Sequence, residues 1–194
     1  MFNITKKLLK LADSEKTVFT ITDLTIFWEI ENREVLKTTI SRAIKKGYLK
    51  HLRRGLYTLN TEKVNNFELA GKLKRKSYIS FETVLAKEGV IFQWYDEIFS
   101  ASDRSSIVRN SFGKFKYRKL PERLLSERIG IKNEKGYLIA TVERAFCDKI
   151  YKDGLTYFDD LTELNIEKLK KTVKIYKNKR LEKDIKKVIK LITK

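Results

Sequence analysis

One cysteine, Cys147, and one histidine, His51, are all that 194 residues provide of the two side chains most used in metal and nucleophile chemistry. A lone cysteine closes no internal disulfide and cannot supply the paired thiolates of a zinc cluster. His51 and Cys147 stand far apart on segments of different kind, so nothing in the spacing supports a Cys–His or Ser–His pair. No Gly-rich phosphate loop leads into Lys-Ser/Thr, and no Gly-x-Gly-x-x-Gly follows a strand-like run. No apolar stretch reaches the length of a membrane span. The start, Met1 to Lys7, leads into a charged amphipathic pattern rather than an apolar signal core. Solenoid-period repeats and low-complexity linkers are also missing. The expectation is a soluble, cytoplasmic chain with no membrane contact, no cofactor, no metal and no enzymatic activity.

What is abundant is positive charge: 43 Lys and Arg against 25 Asp and Glu, a formal net charge of +18. Such a field draws polyanions, because neutralising phosphates releases their condensed counterions. Lysine supplied by an AT-rich codon bias would give the same excess without a partner, so charge alone leaves both readings open. A hydrophobic content of 42% is enough to bury a core over one large domain or two small ones.

Helical spacing over Asn3–Ala12 places Ile4, Leu8, Leu11 and Ala12 on one side. Thr17–Thr20 is β-prone, and Thr22 is positioned to cap a second helix carrying Leu24, Phe27 and Trp28 and ending near Glu31–Asn32. A third helix, Arg33–Lys46, gathers Val35, Leu36, Ile40, Ala43 and Ile44 on its core face and stops at Gly47. Its other positions carry Arg33, Lys37, Thr38, Thr39, Ser41, Arg42, Lys45 and Lys46. Basic side chains interleaved with short hydroxyls suit a DNA groove, and suit an ordinary solvated face equally well. Tyr48–Leu52 and Leu56–Leu59 then form two β-prone runs joined by Arg53-Arg54-Gly55. Three short helices followed by a hairpin with a basic tip give the winged helix-turn-helix order, in which helix three enters the major groove and Arg53 and Arg54 reach the backbone or minor groove.

The polar, aperiodic stretch 60–66 marks a domain boundary, with a DNA-binding domain over residues 1–60 and a second domain over 67–194. The second region mixes helices and strands. A helix from Phe67 precedes Ser77-Tyr78-Ile79-Ser80 and a helix from Phe81 to Lys87. β-prone runs follow near 106–109, 115–118 and 128–131, and a strand at 136–139 feeds a helix from Thr141 to Tyr151. The tail, 163–194, carries two Lys-rich amphipathic helices that fit a solvated cap, a second nucleic-acid surface or an anionic-lipid binder. The acidic neighbours Asp96-Glu97 and Asp159-Asp160 read as turn or capping acids. The fold class expected is α+β.

Ser77-Tyr78-Ile79-Ser80-Phe81-Glu82-Thr83-Val84-Leu85, Phe112-Gly113-Lys114-Phe115-Lys116-Tyr117-Arg118 and Leu138-Ile139-Ala140-Thr141-Val142-Glu143-Arg144-Ala145-Phe146-Cys147-Asp148 follow the winged segment in order. Together they resemble the AbiEi antitoxins over most of the chain. The resemblance implies a mixed α/β antitoxin domain behind the DNA-binding one, and autorepression of a phage-defence, abortive-infection toxin–antitoxin operon. It also implies double-stranded DNA of the chain's own promoter, with inverted repeats, as ligand, and an AbiEii-type nucleotidyltransferase toxin as genetic partner. The DNA-reading elements then fall on Arg33–Lys46 and on Arg53 and Arg54, and the antitoxin-domain motif includes Glu143, Arg144 and Asp148. From spacing, Arg144 and Asp148 stand at i,i+4 and pair, with Ala145 and Phe146 turned inward and Cys147 a small core residue. A monomer or a DNA-induced dimer fits a repressor of this kind. Two other readings stay open: a general DNA or RNA binder without antitoxin activity, and a metal-dependent nuclease using Glu143 and Asp148.

Overall fold

The computed structural model describes residues 4–193 and is a mixed α and β protein. Its chain separates into two compact units, Met1–Leu73 and Lys74–Lys194. The division falls later than the expected boundary at 60–66, and the cause is Glu68. On helix α4 (Asn66–Leu73) its buried carboxylate accepts from the Thr17 amide (2.7 Å), the Thr17 hydroxyl (2.8 Å) and the Val18 amide (3.2 Å). Those bonds, with Leu69 and Ala70 buried, make α4 part of the first unit.

In the first unit α1 (Ile4–Ala12), α2 (Ile21–Trp28) and α3 (Arg33–Lys45) stand with the strands β1 (Phe19–Thr20), β2 (Lys50–Arg53) and β3 (Leu56–Thr58). The strands pair antiparallel in the order β1-β3-β2, with Phe19 opposite Tyr57 and an irregularity between His51 and Arg53. Helix α2 starts two residues earlier than expected: Thr20, not Thr22, is its cap. The Thr20 hydroxyl accepts from the Asp23 amide while the Asp23 carboxylate accepts from the Thr20 amide, a reciprocal capping box. It also ends earlier, at Trp28, because Glu29 turns into the left-handed region (φ +55°) and closes it. Asn32 caps α3 through its side-chain oxygen, and Gly47 at φ +75° follows the helix as expected. Leu11, Phe19, Leu24, Trp28, Leu36, Ile40, Ala43, Leu49 and Tyr57 share one core. Each buried Leu, Ile or Phe among them contributes about 1.5–3 kcal/mol by leaving water. Among the positions assigned to apolar faces, Ala12 is exposed and Val35 is 40% exposed. A reciprocal pair of bonds, Lys7 Nζ to the Trp28 carbonyl (2.9 Å) and Trp28 Nε1 to the Lys7 carbonyl (3.1 Å), ties α1 to α2.

The second unit is a six-stranded mixed sheet in the order β6-β7-β5-β4-β9-β8: β4 (Ser77–Ile79), β5 (Glu97–Ser102), β6 (Ser106–Asn110), β7 (Gly113–Lys119), β8 (Ile131–Glu134) and β9 (Tyr137–Ala140). The β4–β9 and β5–β7 pairs are parallel and the others antiparallel. Strand β8 begins at Ile131, where the run expected over 128–131 ends, because the turn at Lys135-Gly136 sets a hairpin register that pairs Ile131 with Ala140. Helices α5 (Glu82–Lys87), α6 (Glu122–Ser126) and α7 (Val142–Asp153) are followed by α8 (Ile166–Lys174) and α9 (Lys179–Ile192), and α7 packs against α5, α8 and α9. No helix among the described residues is long and apolar enough to cross a membrane.

Candidate nucleic-acid interface

Helix α3 buries Leu36, Ile40 and Ala43, half-buries Thr39 and Ile44, and leaves its other positions to solvent. At 100° per residue the outermost ridge carries Thr38, Ser41 and Lys45 together with Glu34. Arg33 and Lys37 flank it on one side, and Arg42 and Lys46 on the other. All of these are exposed, whereas Thr39 is half-buried.

Two concavities border the helix. One, about 510 Å³, runs towards α1 and is lined by Val35, Thr38, Thr39, Arg42 and Lys46. The other, about 490 Å³, lies beside the start of α2 and β3 and is lined by Arg33, Lys37, Ser41, Lys45 and Tyr57. The expected site residues of α3 thus divide into two basic stripes rather than forming one.

Three side chains are already engaged. The Thr38 and Thr39 hydroxyls donate back to the carbonyls of Glu34 (2.9 Å) and Val35 (2.8 Å), so each must rotate away from its own helix to donate to a ligand. Lys37 pairs with Glu34 at 2.9 Å on an exposed surface, and this bond holds the Glu34 carboxyl below its usual range. Arg53 ends β2 and Arg54 begins the turn to β3; both are exposed, and Gly55 at φ +80° makes the tight reversal.

The motif Glu143, Arg144 and Asp148 belongs to the second unit, and there the structure corrects the expected orientation. Arg144 and Asp148 do meet at i,i+4, Nε to Oδ1 at 3.5 Å, but both are 0% exposed, as buried as Ala145, Phe146 and Cys147. Thr141 caps α7 and β9 leads into it, which drives the first turns of the helix into the interior beside β4. Asp148 accepts from the hydroxyls of Tyr78 (2.9 Å), Ser80 (2.7 Å) and Tyr176 (2.5 Å). Arg144 donates to the Tyr78 oxygen (3.0 Å) and to the carbonyls of Leu124 (2.6 Å) and Ile129 (3.1 Å), and its guanidinium lies 5.4 Å from the ring centres of both Tyr78 and Tyr176. The two sequence motifs, 77–85 and 138–148, are therefore neighbours: β4 runs parallel to β9, and the β4 hydroxyls close the shell around Asp148.

Burial pushes the Asp148 carboxyl above its ordinary range against the pull of Arg144 and the three hydroxyls, and raises the Tyr78, Tyr176 and Cys147 groups as well. With both carboxylate oxygens engaged, Asp148 has no open position for a divalent ion. Glu143 is buried too, near the Asn165 amide. Among the described residues no group of three or more His, Cys, Asp and Glu is placed to hold a metal ion.

A second charged cluster sits beside α7. Glu82 takes Lys149 (2.7 Å) and Arg118 (3.3 Å), and Asp153 takes Lys149 (2.7 Å) and Arg118. Two acids balance two bases, and Arg118 also stacks 4.5 Å over the Phe81 ring. The acids read as turn or capping groups behave so in part. Asp160 accepts from the Thr162 amide and Asp159 from the Phe92 amide, while Glu97 instead opens β5 and pairs with Lys114.

No protein-family model matches the chain, and no curated protein matches it.

Proposed function

We propose that the first unit is a winged helix-turn-helix and that the chain is a DNA-binding transcriptional autorepressor. In this reading α3 enters the major groove and the β2–β3 turn is the wing. The observation that carries it is the exposed set Arg33, Lys37, Ser41, Arg42, Lys45 and Lys46 on one helix, in the same compact unit as the exposed Arg53-Arg54 turn. Arginine and lysine reach guanine edges and phosphates, and serine adapts locally. The order of the 77–85, 112–118 and 138–148 segments supports the further assignment as an AbiEi-type antitoxin. Its genetic partner would then be an AbiEii-type nucleotidyltransferase toxin.

The test is a binding titration at physiological salt with the duplex upstream of this gene against a shuffled duplex of equal length. A preference on the order of 10³ is expected, with Arg42→Ala or Arg53→Ala costing about 1–3 kcal/mol. Equal binding of both duplexes refutes sequence-specific repression. Sequence-indifferent binding that falls steeply with salt is the second reading. It is favoured by the net charge of +18 and by the exposed lysines of α8 and α9.

A further inference from the structure

Two loops of the second unit expose large aromatic side chains: Phe92 (73%) and Trp94 (84%) before β5, and Tyr157 (83%) after α7. They are held together. The Asp159 amide donates to the Val90 carbonyl (3.0 Å), the Phe92 amide donates to the Asp159 carboxylate (2.8 Å), and Phe158 packs on buried Phe146 with ring centres 4.5 Å apart. Ordered aromatics left in water on pinned loops mark an interaction surface.

The charge of these loops is opposite to that of the chain. Residues 88–97 carry Glu88, Asp96 and Glu97, and residues 153–163 carry Asp153, Asp159, Asp160 and Glu163, with no Lys or Arg in either. Glu97 and Asp153 pair with cations from elsewhere in the unit, and Glu88 lies 3.7 Å from Lys87. Asp96, Asp159, Asp160 and Glu163 have no ion pair among the described residues. An acidic aromatic patch repels nucleic acid and anionic lipid. It calls for a cationic protein surface.

The same chain provides one. On α9, Lys179, Lys183, Lys186 and Lys190 recur at spacings of four, three and four, opposite the buried Leu181, Ile185 and Val188. They form a ridge about 16 Å long. All four are exposed and none is in an ion pair among the described residues. We propose that the aromatic patch at Phe92, Trp94 and Tyr157 of one copy docks on the α9 lysine ridge of a second copy. The aromatics would be the central anchors and the acids the rim. At roughly 150–250 Å² each, the three rings provide over half of the roughly 800 Å² per partner that a stable interface requires. Lysine stems cover apolar rings while their ammonium groups reach the acids.

Sedimentation of the full chain without DNA, over a concentration and salt series, tests this independently of the repressor reading. A reversible, salt-weakened association is expected. Trp94→Ala with Tyr157→Ala should weaken it about tenfold or more, and so should Lys183→Glu with Lys186→Glu. Both changes lie on exposed positions, and circular dichroism checks that the fold is kept. An equimolar mixture of the two double variants retains one intact patch and one intact ridge, and so associates more strongly than either variant alone. A wild-type chain that stays monomeric at every concentration at low salt overturns the proposal. So does association indifferent to Trp94 and Tyr157, or a mixture that stays monomeric. Binding of the patch to a different cationic protein by a monomeric chain also overturns it.

Discussion

Replacing Asp148 by Asn keeps the shape of the side chain and removes the charge that Arg144 faces in the middle of the second unit. The three hydroxyls now aimed at carboxylate oxygens would meet one amide nitrogen, so at least one donor clashes with another donor. The guanidinium, fully buried, would keep its carbonyl partners but lose the carboxylate it pairs with. Breaking a buried ion pair on one side costs about 3–5 kcal/mol, because the stranded charge cannot recover its hydration. For a unit of about this size that lowers the thermal midpoint by roughly 12–20 °C. The assay is urea denaturation followed by circular dichroism, with hydrogen exchange of α7 locating the loss in the second unit. Arg144→Met should cost a comparable amount. The double variant should lose less than the sum by on the order of 2 kcal/mol, because both belong to one network. An Asp148→Asn variant within about 0.5 kcal/mol of wild type, or strict additivity of the two changes, would refute the reasoning.

Gly130→Ala should destabilise the second unit by about 3 kcal/mol in the same denaturation assay. Gly130 sits at φ +74°, and an added Cβ would lie 2.8 Å from the Arg144 Cβ, which α7 holds in place. The first unit carries a different acid sensitivity at Asp23. Burial alone would raise this carboxyl, but hydrogen bonds from Lys16 and Thr20 and the charge of Lys72 outweigh it and hold it at about 2. A lowered carboxyl stabilises the fold above its unfolded value near 3.8 and loses that stabilisation as pH falls towards 2. Asp23→Asn should therefore cost about 1–2 kcal/mol at neutral pH and flatten the acid limb of the stability curve between about pH 4 and pH 2, read by melting temperature against pH. Cys147 is fully buried and its thiol is pushed up by that burial, so a thiol reagent should label it only at the rate of unfolding. Rapid native labelling would contradict its burial.

The parts of this fold that were legible in the sequence are those set by local period. The α3 face of Leu36, Ile40 and Ala43, the Arg-Arg-Gly turn and the two tail helices each follow from neighbours within a few residues. Errors arose where a longer-range partner decided. Thr20 and Asp23 do spell a capping signal, yet Thr22 is equally competent until β1 pairs with β3 and fixes the strand end at Thr20. Strand β5, Glu97-Ile98-Phe99-Ser100-Ala101-Ser102, carries little local signal, since both its faces are largely covered and its buried half is built of small residues, Ser100, Ala101 and Ser102. Pro121-Glu122 was an available start signal for α6. The Arg144–Asp148 pairing was readable from helical spacing, but its burial was not. The hydroxyls that make burial tolerable come from Tyr78, Ser80 and Tyr176, between 28 and 70 residues from Asp148. The joining of the loop of Phe92 and Trp94 to the loop of Tyr157 left no local signature either, since it is made by Asp159 bonding to Val90 and to Phe92, the latter 67 residues away.

The strand order of the second unit also bears on how the chain is made. The first unit closes with contacts drawn from its own 73 residues, so it is complete early as the polypeptide leaves the ribosome. Strand β4 is different: it lies between β5 and β9, and it meets β9 through Ile79 opposite Ile139, so that side of β4 stays open until sixty further residues have been translated. During that interval the nascent sheet presents a bare apolar edge and the hydroxyls of Tyr78 and Ser80 have no carboxylate to meet. Synthesis of residues 137–153 then closes that edge with β9 and brings Asp148 on α7 to the two hydroxyls, and the polar cluster is complete once Tyr176 follows.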